Sequence, residues 1–248
     1  MHWTNSQGGG LDAERELILI DQTPGEIVFL SAADTDLACV AGTWYQRFGA
    51  RLRIAQAAPL RQPVAADDYV EKVLRHARVV VARLLGGEGY FPHLLQALAG
   101  LRDETVRPKL ILLSGTDTPD ETLTALSDFP PAICDRMFEF FKHGGRENLA
   151  RAAEALDALL AGGGISLPEA VPMPESGIYC RSGLANPMRA WVCFYRAWHQ
   201  TGDLAVVDAL QTALEEKGFA VTSFFTFSLR SPRAQRQLLD LAAGSAPD

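Results

Sequence analysis

The side chains best suited to gripping a ligand fall at the ends of apolar runs. Arg83 closes Val79-Val80-Val81-Ala82, Ser31 and Asp34 follow Ile27-Val28-Phe29-Leu30, and Ser114 and Asp117 follow Leu110-Ile111-Leu112-Leu113. Tyr195-Arg196, with Trp198 and His199, close the run RAWVCFY at Arg189 to Tyr195. A guanidinium pairs with a carboxylate in a planar fork, and an aromatic ring stacks on a flat ligand. Each position also has a plainer reading. Arg83 can bond backbone carbonyls at a strand end, Arg196 can serve an interdomain contact, and Ser31, Asp34, Asp67 and Asp68 can cap helices. Arg83 and Ser114 on one rim also suit a small-ligand α/β enzyme.

Several other chemistries have no footing. Gly86-Gly87-Glu88-Gly89 lacks both Gly-x-x-x-x-Gly-Lys-Ser/Thr and Gly-x-Gly-x-x-Gly, so it reads as a turn and no ATP site is visible. His2, His76, His93, His143 and His199 form no pair at helical i, i+4 spacing, and no metal-ligand set is assigned to them. Cys39, Cys134, Cys180 and Cys193 are scattered without a Cys-x-x-Cys pair, which reads as reduced thiols.

The elements that must carry these residues follow from periodicity. Ile27–Ser31, Arg51–Ala55, Arg78–Arg83 and Leu110–Leu113 read as strands, the second near a sheet edge and the third at the centre. Helices are expected from Asp34 to about Phe48, Ala66 to Arg78, near Pro92, within 119–132, from Ile133 to Lys142 and from Arg146 to Leu160. Asp67 and Asp68 are expected in the first turn of their helix. Leu17-Ile18-Leu19-Ile20 reads as a short edge strand, and Met1 to Glu14 as a lead-in or a short strand and loop. The alternation gives a doubly wound parallel sheet of the Rossmann/flavodoxin-like kind, whose ligands bind outside the carboxyl ends of the strands. A Gly/Pro-rich stretch at 162–177 reads as a linker between a head domain at 1–161 and the beginning of a second α/β unit at 178–248. In that unit 189–195 and 219–227 read as its two strands, 204–217 and 232–241 as helices, and 196–201 as a loop.

The 248 residues are 48% hydrophobic and 21% charged, with a formal net charge of -7. No basic run marks a nucleic-acid surface. No apolar stretch approaches the roughly 20 residues that span a bilayer. The start, MHWTNSQGGGLDAERE, has neither the basic region nor the apolar core of a secretory signal.

Five segments in order, VFLSAADTDLACVA, Asp68-Tyr69-Val70-Glu71-Lys72, VVVARLLGGEGYFPHLLQALA, FFKHGGRENLARAAEAL and VCFYRAWHQTGDLAVVDAL, resemble the N-terminal region of the large subunit of aerobic cobaltochelatase, the CobN family, a relative of the magnesium chelatase large subunit. Met1-His2 and Gly8 to Gly10 resemble the family's start. The resemblance implies a cytoplasmic, corrin-binding subunit that works with an AAA+ ATPase subunit and a further chelatase subunit. With ATP and Mg, that complex inserts Co(II) into hydrogenobyrinic acid a,c-diamide during cobalamin biosynthesis. The family's large subunits are several times longer, so the expectation is a region without catalytic residues or metal ligands that binds no cofactor itself and is inactive alone. A docking module for the ATPase is the alternative. Arg83, Tyr195, Arg196, Ser31 and Ser114 are the candidate substrate-binding residues, with an arginine set to pair a carboxylate on the corrin periphery.

Overall fold

The structure is a computed structural model that describes residues 17–162, 167–183 and 188–245, with side chains up to residue 240. The readings placed on Met1 to Glu14, His2, Gly8 to Gly10 and residues 163–166 lie outside the described residues. Packing divides the chain into two compact units, 1–33 with 50–134, and 34–49 with 135–248. The grouping follows contact rather than chain order.

The first unit is built on strands β1 (Ile27–Ser31), β2 (Leu52–Gln56), β3 (Val79–Leu84) and β4 (Lys109–Ser114). They form one parallel sheet in the order β2-β1-β3-β4. This is the doubly wound α/β arrangement, with β2 at an edge and β3 inside, as the continuous β-branched run of β3 requires. Val28, Leu30, Val80, Ala82, Leu84, Leu110 and Leu112 share one core with Ala66, Tyr69, Val70, Leu94, Leu95, Leu98 and Leu123. Those partners sit on helices α2 (Pro63–Lys72), α4 (Pro92–Gly100) and α5 (Glu121–Leu126), and the single turn α3 (Gly87–Tyr90) precedes α4. At Gly86 φ is +84°, and an added Cβ would lie 2.3 Å from the Tyr90 ring, so the turn needs glycine on both counts.

Three expectations for this unit change. Leu17-Ile18-Leu19-Ile20 forms no strand; its first three side chains are exposed, and the segment is tied down further on. There Tyr69 donates from its hydroxyl to Gln22 Oε1 at 2.6 Å, and Gln22 Nε2 donates to Ile54 O. The second helix starts at Pro63 and ends at Lys72, because proline favours the first helical position and Val73 leaves helical geometry at φ -126°. Asp67 and Asp68 therefore lie mid-helix, Asp67 bonded to His93 at 2.8 Å and Asp68 paired with Lys72 at 2.6 Å.

Asp128 closes the base of β4. Arg107 donates to both of its carboxylate oxygens at 2.7 and 2.8 Å, and Leu110 N donates at 2.8 Å. Burial alone would raise the Asp128 pKa. The hydrogen bonds from Arg107 and Leu110, with the charges of Arg107 and Arg102, outweigh it and hold the carboxyl below its ordinary value.

The second unit contains α1 (Asp34–Phe48), α7 (Gly145–Leu160), most of α6 (Pro131–His143), and a three-stranded sheet. Trp44 of α1 is fully buried, donates from Nε1 to Leu149 O at 2.8 Å, and meets Phe48 and Phe141 edge-on. The sheet contains β5 (Ser176–Arg181), β6 (Arg189–Tyr195) and β7 (Ala220–Thr226) in the order β5-β7-β6. β6 and β7 are parallel and β5 is antiparallel to β7. The sequence pattern predicts only two of these strands. The third escapes because SGIYCR carries a glycine, is largely half-exposed, and shifts register between Ile178 and Cys180. Helices α8 (Arg196–Thr201), α9 (Ala205–Glu216) and α10 (Pro232–Ser245) complete the unit. The stretch that reads as a loop is α8, stopped by Gly202 at φ +73°.

Candidate functional site

Two carboxyl rims carry the candidate residues, one in each unit. In the first, Ser31 is in register with Arg83 at the switch point between β1 and β3, while Ser114, in register with Leu84, ends the neighbouring β4 on the other face of the sheet. Their polar atoms are engaged locally. Ser31 Oγ accepts from Ala33 N at 3.1 Å, and Ser114 Oγ accepts from Thr116 N at 3.2 Å, the same two-residue turn at both strand ends. Arg83 donates from Nε to Ser114 O at 3.2 Å and from its guanidinium tip to Thr116 O at 3.3 Å. These two bonds tie Arg83 to the turn that follows β4.

The second rim is different. Tyr195 ends β6 in register with Thr226, the last residue of β7, and Arg196 opens α8. The Arg196 guanidinium lies over the Phe227 ring at 4.9 Å. Its Nε is enclosed with no hydrogen-bond partner among the described residues. Burial lowers its pKa, against the favourable charge of Glu175. Glu175 is itself bonded by the Ser231 hydroxyl at 3.0 Å. Glu175 thus supplies Arg196 with charge but no hydrogen bond, and an enclosed donor without an acceptor is costly to the fold. Phe227 beside the guanidinium is 60% exposed; Tyr195, in register with Thr226 and 51% exposed, belongs to the opposite face of the sheet from Phe225.

His199 lies one turn along α8 from Arg196, on the same helix face. Its ring stacks on Phe225 at 4.3 Å with planes 9° apart and meets Tyr179 edge-on. Its Nδ1 is enclosed without a partner, and burial pushes its pKa down. Helical spacing does not single out His199, which has no histidine partner at i, i+4. Phe227, separated from Arg196 in sequence by α8, α9 and β7, leaves no local signal either. His93 and His143 are occupied by Asp67 and by Glu139. Among the described residues no group of His, Cys, Asp or Glu is arranged to hold a metal ion. Nor is any described helix long and apolar enough to cross a membrane.

Residues 138–247 of this α/β chain fit the family model CobN/Magnesium Chelatase. Over its full length the chain aligns with CobN-type cobaltochelatase subunits. The aerobic cobaltochelatase subunit CobN of Sinorhizobium sp is 34% identical, and the alignment covers all of this chain and 21% of that protein. The Pseudomonas aeruginosa subunit of the same name is 27% identical over 97% of this chain and 20% of its own length. Among solved structures, the catalytic subunit of cobaltochelatase from Mycobacterium tuberculosis superposes with a TM-score of 0.67 at 26% identity, over 88% of this chain and 17% of that one. The resemblance read from the five segments therefore holds, and this chain spans about a fifth of the length of its curated relatives.

Proposed function

We propose that this chain is the corrin-facing head of a cytoplasmic cobaltochelatase large subunit. It forms part of the cavity wall for hydrogenobyrinic acid a,c-diamide during ATP-dependent insertion of Co(II), the step that serves cobalamin biosynthesis. Insertion needs a cavity that distorts the macrocycle, bases for the protons displaced from its ring nitrogens, and ligands that strip water from the incoming Co(II). The residues here fit the wall, with bases and metal ligands assigned to other parts of a complete subunit. ATP and Mg are used by an AAA+ ATPase subunit, with a further chelatase subunit completing the complex.

The observation that carries this reading is Arg196, a half-buried guanidinium stacked on exposed Phe227, whose enclosed Nε lacks a hydrogen-bond partner among the described residues. A flat macrocycle with acidic side chains offers that pair both a ring to stack on and a carboxylate. Arg83, Ser31 and Ser114 enter as the scaffold of the other rim. Titrating the chain with the corrin, followed by the ligand's absorbance, should give a saturable shift, with affinity at least tenfold weaker in Arg196→Ala. A flat titration at high concentration sinks the wall reading. Co-elution with the ATPase subunit in that case would point to a docking module instead.

A further inference from the structure

Arg196 and His199 share one face of α8, and neither has a hydrogen-bonding partner at its enclosed nitrogen among the described residues. The two rings beneath them, Phe227 and Phe225, come from the same end of β7 and give both side chains an apolar floor. We propose that Arg196 and His199 form a seat for one carboxylate on a planar apolar body, and that filling the seat is coupled to proton uptake by His199. The identity of the body rests on the macrocycle reading above; the seat and its proton coupling rest on the two side chains.

The physical sequence is short. With the seat empty, the neutral form of His199 is favoured, because the ring is flattened against Phe225 and burial disfavours its charged form. A carboxylate docking on the Arg196 fork brings a negative charge to that face. The charge offsets Arg196 and favours the imidazolium, so one proton enters from solvent as the anion binds. Other titratable groups around α8 are already committed. Tyr179 of β5 donates to Asp208 of α9 at 2.9 Å, and Glu175 accepts from Ser231. Cys39 of α1 donates to Gln200 O at 3.3 Å, with burial raising its pKa to about 11, and Arg146 of α7 lies against Gly202. Among these, His199 is the group with an ordinary pKa near neutrality and an unbonded nitrogen.

The test uses 2-naphthoate and its neutral isostere 2-naphthamide as probes, with affinities from calorimetry and the His199 imidazole followed by proton NMR. Naphthoate should bind at least fivefold tighter than naphthamide at pH 6. Its affinity should fall severalfold between pH 6 and pH 8, with the His199 resonances titrating at higher pH in its presence. Arg196→Gln should erase the preference for the acid. His199→Phe, which keeps a ring on Phe225, should keep the preference and lose the pH dependence. Equal affinities for acid and amide, or a preference that survives Arg196→Gln, overturns the seat; a pH-independent affinity overturns the coupling. If naphthoate passes and the corrin does not bind, the macrocycle reading fails alone. If the corrin binds and naphthoate fails, the seat fails alone.

Discussion

The carboxylate of Asp128 is held from three directions, by the two-pronged Arg107 fork, the Leu110 backbone N–H and the more distant Arg102. Its side chain is only 4% exposed, so the pair is worth more broken than its surface counterparts. Asp128→Asn should destabilise the chain by about 1.5–3 kcal/mol, because the Arg107 fork and the Leu110 N–H lose their charged acceptor. Urea denaturation at pH 7 measures this. The folded-state pKa of Asp128 is depressed, so its contribution is complete above the ordinary carboxylate value and is lost as pH falls through the lowered one. The gap between wild type and variant should therefore close in acid. A gap that is constant down to acid pH would show that the loss is one of packing. At this scale the sequence displays Arg196 and Tyr195 because they stand together at the end of an apolar run. It hides Asp128 and Arg107, 21 residues apart, and it hides the Phe225–His199 stack, since neither pairing leaves a periodic trace.

Elements with one strong signal are legible. β1, β3 and β4 are built on apolar runs and β2 is a partly charged edge, and each falls within a residue or so of where its pattern puts it. β5 and α8 are not, because a bulged strand has no clean alternation and a six-residue helix has too few turns to show a face. Leu17 to Ile20 fails in the opposite sense: an apolar run makes a strand only when a neighbour's backbone accepts it, and here none does among the described residues. The packing of α1 gives the sharpest test at this level. Trp44→Ala removes a fully enclosed indole between Phe48 and Phe141 and should cost roughly 3–5 kcal/mol in thermal or urea unfolding. Trp44→Phe keeps most of the volume and removes only the indole donor to Leu149 O, which keeps its helical bond within α7, so it should cost about 0.5–1.5 kcal/mol. Equal losses for the two variants would mean that the hydrogen bond, and not the volume, secures α1.

On the scale of the whole molecule, fold class and the resemblance to CobN subunits are legible while the division of labour within a complete subunit is not. The five segments carry the relationship in order, yet this chain covers about a fifth of its curated relatives. If the wall reading is right, mixing the chain with corrin, Co(II), ATP and Mg should give neither cobalt insertion nor ATP hydrolysis, as followed by the corrin spectrum and phosphate release. Insertion by this chain alone would place bases and metal ligands inside it and undo that assignment.

The contact between Trp44 and Leu149 also sets a clock. The two residues lie 105 positions apart, and ribosomes add roughly 5–20 residues per second. Once Trp44 is made, its partner follows about 5–20 s later, and the intervening stretch contains β2, β3 and β4 of the other unit. The parallel sheet can thus be assembled while the apolar face of α1 is still waiting for α7. During that interval the nascent chain presents a tryptophan-bearing helix without its fold partner, the kind of segment that holding chaperones take up.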